Sequence, residues 1–205
     1  MESQKYADED ILQMRQKLDE QQENLDKLTN QKENNIEDGY VYVEGYKIPF
    51  AEWTILKRIK IKLPTKFKQM EKQYAALKYP AYRDKNIVIL TNEDTSINFM
   101  FDPKNVTVQQ GGIEAVRDYF CDTLLKMNPS VNLLDKTMVQ TKTVEIGCFE
   151  VVTPAIDKAI YNFMYFFTIE EKLIAATFNC YDDEKKDWQP IIRQIVSKLE
   201  ITKGL

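Results

Sequence analysis

The densest run of chemically active side chains lies between Lys57 and Lys72. Lys57, Arg58, Lys60, Lys62, Lys66, Lys68 and Lys72 are cations, and Glu71 is the one acid among them. A cationic run of this kind attracts carboxylates and other anions, so Arg58, Lys60 and Lys62 are expected to contact an acidic partner. The alternative is the wet face of a strand and helix, which needs no partner at all. Cys121, Cys148 and Cys180 are separated by 27 and 32 residues, and no chelating loop has that spacing. The sequence contains no His. It therefore has no Ser-His-Asp or Cys-His pair, no His general base and no His-ligated zinc. Cys148 would need a lysine or a helix dipole to become a thiolate, so the cysteines are expected to be buried thiols. Gly111-Gly112 precedes a helix but lacks the Lys-Ser/Thr of a phosphate loop. Asp182-Asp183-Glu184 lacks the alternating spacing of a calcium loop and is expected to be a solvated turn. No catalytic residue, metal or cofactor is expected.

The elements that must position these residues fall into two unlike parts. Residues 1–38 hold five Lys and Arg against eleven Asp and Glu, while the rest of the chain holds 23 against 21. The formal charge of −4 is thus an average over an acidic segment and a nearly neutral remainder. In the acidic segment Ile11, Met14, Leu18, Leu25 and Leu28 fall at heptad a and d positions, and Lys32 breaks the seam. The pattern is a narrow-striped amphipathic helix, short for a stable coiled coil. It must self-associate, meet a partner, lie on its own domain or fray. Residues 39–205 are expected to form one domain large enough to be stable without disulfides or metal. The opening residues are charged and resemble no secretory signal, and no apolar run is long enough to span a membrane. The expected location is the cytoplasm. An acidic chain without an aromatic-basic motif is not expected to bind nucleic acid.

From position 40 the periodicity becomes that of strands. Tyr40–Val43 and Tyr46–Ile48 flank Glu44-Gly45 as a hairpin. Residues 58–63 alternate apolar and cationic, and 65–78 has the spacing of a helix through Phe67, Met70, Tyr74 and Leu77. Two strands are expected over 86–91 and 96–101. A helix follows, with Ile113, Val116, Phe120, Leu124 and Met127 on its apolar face. A hairpin is expected over 136–143 and 145–153. Residues 160–169 are apolar on both faces, as in a central strand, and Tyr161, Phe163, Tyr165 and Phe167 share one face. That aromatic row suits a core better than a client groove. The last helix carries Trp188, Ile191, Ile192, Ile195, Val196 and Leu199 at helical spacing, with Asp187 as its expected cap and Pro190 in its first turn. Strands and helices do not alternate regularly, so the fold class is α+β with an antiparallel sheet.

Several of these positions resemble one family. Tyr161-Asn162-Phe163, Leu173 through Thr177-Phe178, Asp187-Trp188, Ile191-Ile192, Ile195 and Ser197-Lys198-Leu199 are similar to the C-terminal part of the PsbP-like fold. Leu63-Pro64-Thr65-Lys66-Phe67 resembles an upstream segment of the same group, so the likeness spans about residues 40–203. That fold is shared with DcrB-like bacterial proteins and a nuclear regulator of the GTPase Ran. The resemblance implies a curved antiparallel sheet flanked by helices, no catalytic motif, and binding to other proteins. The expected function is a non-enzymatic protein-binding adaptor or chaperone, for a secreted or assembled client. The alternatives are a structural component oligomerised through the N-terminal helix and a His-free enzyme.

Overall fold

The computed structural model describes Met14, Lys17 and residues 34–80, 87–109 and 111–202. The fold is α+β and, among these residues, every strand pairing is antiparallel. The first sheet holds β1 (Tyr40–Val43), β2 (Tyr46–Ile55), β3 (Ile59–Pro64) and β11 (Glu200–Ile201), in that order. The second holds β4 (Lys68–Gln69), β5 (Val88–Thr91), β6 (Asn98–Thr107), β10 (Lys172–Tyr181), β9 (Ile160–Ile169), β8 (Glu145–Thr153) and β7 (Asn132–Gln140). Three α-helices are described: α1 (Lys72–Lys78), α2 (Ile113–Met127) and α3 (Lys185–Ser197).

The main core lies between the sheets. Ile59, Ile61 and Leu63 of β3 meet Phe99, Phe101, Tyr165 and Phe178 of the larger sheet, and Trp188, Ile191 and Ile195 of α3 complete the cluster. Tyr161, Phe163, Tyr165 and Phe167 are at most 1% exposed, so the aromatic row is core. The opposite face of the larger sheet is covered by α2, over Phe149, Phe166 and Leu173. A smaller cluster of Met70, Ile89 and Met100 packs beside α1. β9 lies between β8 and β10, which explains its two apolar faces.

The helix expected over 65–78 is confined to Lys72–Lys78. Phe67 packs edge-on against Phe99 at 5.7 Å, and the Met70 amide donates to the Ile89 carbonyl. Pairing of Lys68–Gln69 with β5 thus overrides a helical spacing, leaving Leu77 78% exposed. On α2 Ile113, Val116, Phe120 and Leu124 of the expected face pack against the sheet, but its last residue does not. Met127 is 81% exposed, while Arg117 is buried. Its stem lies against Gly147, where an added Cβ would come within 2.9 Å of Arg117 Cβ. Its guanidinium reaches Glu114 and Asp118 at the helix margin.

Asp187 does not cap α3. The 3-10 turn Asp182–Glu184 leads into the helix, and Glu184 accepts from the Tyr181 amide at 3.0 Å. Pro190 consequently lies inside the helix, beyond its first turn, and cannot donate to the Lys186 carbonyl. Contacts with the domain begin before position 39. Asn34 exchanges two hydrogen bonds with the Tyr42 backbone, and Ile36 in the 3-10 turn Ile36–Asp38 is fully buried. Gln194 of α3 holds both ends of this segment, accepting from the Ile36 amide and donating to the Asn34 carbonyl.

Candidate functional site

The strict alternation of β3 places Ile59, Ile61 and Leu63 inward and Lys60 and Lys62 outward. Beside them opens a cleft of about 370 Å³. Lys60 and Lys62 contribute to it from β3, Lys142 from the turn joining β7 to β8, and Lys198 from the end of α3. Glu37, Glu52 and Glu200 are the carboxylates along the same walls.

The walls are held by local hydrogen bonding. In the turn that carries Lys142, the Thr143 and Val144 amides both donate to Thr141 Oγ1. Thr143 Oγ1 in turn accepts from the Ile201 amide at 2.8 Å, joining this turn to β11. Glu200 lies opposite Lys60 in the sheet register, and the Thr202 amide donates to the Arg58 carbonyl. Lys198 follows the last turn of α3, where a cation opposes the negative end of the helix dipole.

The cations are unevenly paired. Lys62 Nζ lies 2.7 Å from Glu37, and Lys60 lies 3.1 Å from Glu52. Lys142 is 3.7 Å from Glu200 with its side chain 87% exposed. Among the described residues, Lys198 has no ion pair within 4.0 Å. The hydrogen bond from Lys62 holds the Glu37 carboxyl below its usual range, and Lys198 and Lys142 add to that effect through their charge. Glu37 therefore sits in the field of three lysines.

Of the residues expected to contact a partner, the structure brings Lys60 and Lys62 into this cleft and leaves Arg58 outside its walls. Arg58 instead pairs with Glu170 at 2.7 Å, and its Nε donates to the Thr202 carbonyl at 2.6 Å. Met14 is helical and 70% exposed. Ile11, Leu18, Leu25 and Leu28 lie outside the described residues. Glu37, Lys142 and Lys198 were missed by sequence reasoning, because no spacing links these three distant positions.

A second, more apolar pocket of about 460 Å³ lies at Ile48, Pro64, Phe67, Ile97 and Trp188, with Lys66, Glu93 and Asp94 alongside. The buried indole Nε1 of Trp188 has no hydrogen-bond partner among the described residues.

The remaining candidate groups are engaged structurally. All three cysteines are buried and free. Burial, reinforced by the charge of Glu150, pushes the Cys148 thiol up to about 12, so it stays protonated at neutral pH. Burial also raises Cys121 and Cys180. In the acidic turn, Asp183 pairs with Lys158 at 2.9 Å and Asp182 with Lys185 at 2.8 Å. Among the described residues, no group of three His, Cys, Asp or Glu side chains is placed to hold a metal ion. None of their helices is long and apolar enough to cross a membrane.

Among the described residues the most deeply buried carboxylate is Glu150 of β8, 1% exposed. It accepts from Tyr161 Oη at 2.8 Å, Gln189 Nε2 at 2.6 Å and Arg193 Nε at 2.7 Å. Arg193 continues to Asp135 at 3.1 Å. Burial works most strongly against the Arg193 charge, but its hydrogen bond to Glu150 and the charges of Glu150 and Asp135 together outweigh this and raise its pKa. Tyr161 is pushed well above the usual phenol range by burial and then by the charge of Glu150, so it remains a donor. These groups satisfy one another and tie α3 to the sheet.

Neither a protein-family model nor a curated protein matches this sequence. Solved structures do. The solution structure of cyanobacterial PsbP from Synechocystis matches with a TM-score of 0.55, covering 75% of this chain and 92% of that one at 11% identity. A crystal structure of LpqN, involved in cell envelope biogenesis of Mycobacterium tuberculosis, covers 71% of this chain and 83% of that one at 13% identity, with a TM-score of 0.43. The chain has the PsbP-like fold.

Proposed function

We propose that this chain is a cytoplasmic, non-enzymatic adaptor or chaperone whose protein partner seats on the lysine-walled cleft. The observation that supports this reading is the convergence of Lys60, Lys62, Lys142 and Lys198 from three separate elements on one open surface. Cations brought together in this way steer and orient an acidic partner without any bond-making group. The client would be a secreted or assembled protein. The test is affinity capture from native lysate with quantitative mass spectrometry, comparing the full chain with a Lys142→Glu/Lys198→Glu variant. A partner recovered stoichiometrically by the first and lost by the second is the expected result. Identical recovery by both, or turnover of a small molecule by the purified chain, would count against it.

A second reading is a structural component oligomerised through the N-terminal helix. Met14 favours it, since this helical apolar residue is 70% exposed. Light scattering on the full chain decides this: a concentration-independent monomer removes the reading, and an oligomer dissolved by Met14→Glu supports it.

A further inference from the structure

We infer that the lysine-walled cleft is a carboxylate-recognition site for an acidic peptide segment of a partner protein, and that Glu37 is its built-in competitor. This rests on the adaptor reading for its biological partner, but the chemistry stands on the cleft itself. The Glu37 carboxylate is already seated there, 2.7 Å from Lys62. Its backbone is held by the residues before it. Ile36 is fully buried, and Asn35 Oδ1 accepts from the Glu37 amide at 3.0 Å. The Glu37 side chain is nevertheless 46% exposed. It can therefore rotate out without disturbing the turn that carries it.

The cleft also has cationic capacity that Glu37 leaves unused. Lys142 meets Glu200 only at 3.7 Å, and Lys198 has no ion pair among the described residues. With Glu37 displaced, the walls present four lysines against Glu52 and Glu200. The lining contains no Arg. Lysines act as separated, mobile point charges, whereas a guanidinium fork grips one carboxylate or phosphate bidentately. Point charges spread over three elements match carboxylates spaced along a peptide. The resident group is itself a side-chain carboxylate, which makes it a direct mimic of the ligand.

The test is fluorescence anisotropy of a labelled oligoglutamate peptide against the full chain at low and moderate salt. Circular dichroism and thermal midpoints first establish that each variant is folded. Glu37→Gln removes the competitor's charge and is expected to tighten binding about 2- to 5-fold, the range expected for an exposed ion pair. Lys142→Glu and Lys198→Glu each weaken binding. Lys126→Glu, at the far end of α2 and outside the cleft, makes the same change in net charge and is expected to have a smaller effect. Binding weakens as salt rises, and oligoglutamine does not bind. The proposal is overturned if Glu37→Gln fails to tighten binding, or if Lys126→Glu weakens it as much as Lys198→Glu. Displacement by inorganic phosphate at matched ionic strength would make this a general anion site and overturn the peptide assignment. The two readings fail separately. A partner lost by Lys142→Glu/Lys198→Glu but indifferent to Glu37→Gln refutes only the competitor, whereas peptide binding without a cellular partner refutes only the adaptor.

Discussion

Replacing Glu150 by Gln keeps the shape of the side chain and removes its charge and one of its two acceptor oxygens. In the native protein one oxygen accepts from Tyr161 Oη and Gln189 Nε2, and the other from Arg193 Nε. A glutamine must turn its NH₂ toward one of these sets: on one side it meets Arg193, which cannot accept, and on the other the Gln189 amide nitrogen, with only the Tyr161 hydroxyl able to turn and accept. The lost hydrogen bonds involve a charged acceptor and contribute about 1.5–3 kcal/mol each, while unpairing one member of a fully buried pair costs about 3–5 kcal/mol. Two effects reduce the total. Gln is easier to desolvate than a carboxylate, and the Arg193 side chain is 48% exposed, so water screens its part of the interaction. Most of the loss then falls on Tyr161 and Gln189, and the expected destabilisation is about 2–4 kcal/mol. Urea unfolding measures it as a lower midpoint with an unchanged slope. A double-mutant cycle with Tyr161→Phe should give a coupling of about 1 kcal/mol or more, because the phenol no longer needs an acceptor. A loss below about 1 kcal/mol, or strict additivity in the cycle, would refute the claim that this network fastens α3 to the sheet.

Other consequences are equally direct. Gly147→Ala should destabilise by about 1–3 kcal/mol in thermal unfolding, because the new methyl meets Arg117 Cβ at 2.9 Å and the Ile113 carbonyl at 3.1 Å under a packed helix. Ile36→Ala should cost about 2–5 kcal/mol in urea, as for a core residue, although its position lies within the acidic segment. Alkaline pH should weaken the fold. Cys148 is held near 12 when folded against 9.0 for the free thiol, so the unfolded chain releases a proton that the native protein retains. Its contribution is complete below pH 9.0 and falls by about 1.4 kcal/mol per pH unit as pH rises toward 12. Urea midpoints across this window should show a shallower decline for Cys148→Ala than for the natural sequence.

Much of the fold is legible in the sequence because it is carried by short-range periodicity. The alternation in β3 and the two-faced apolarity of β9 follow from strand geometry. The spacing of Trp188, Ile191, Ile192 and Ile195 follows from helix geometry, and all four are buried. The errors occur where distant partners compete with that local signal. Phe67 and Met70 have helical spacing with Tyr74 and Leu77, but pairing with β5 and contact with Phe99 take the first two into the core. Arg117 lies outside the apolar residues expected on its helix, and is buried because Gly147 gives its stem a place on the sheet. Pro190 reads as a first-turn residue until the acidic 3-10 turn moves the true helix start upstream.

The sequence by itself determined the α+β class, the burial of the three thiols and the wet cationic face of β3. Each depends on residue type and on neighbours a few positions away. Only the tertiary structure decided what that face does. It paired Arg58 with Glu170, left Lys60 and Lys62 in a cleft, and brought Lys142, Lys198 and Glu37 to the same walls. It also joined Glu150 to Tyr161 and Arg193 across three elements. Side-chain direction is set by local backbone geometry, and can be read along the chain. Convergence is set by strand register and by how one sheet closes over another, which no local spacing encodes.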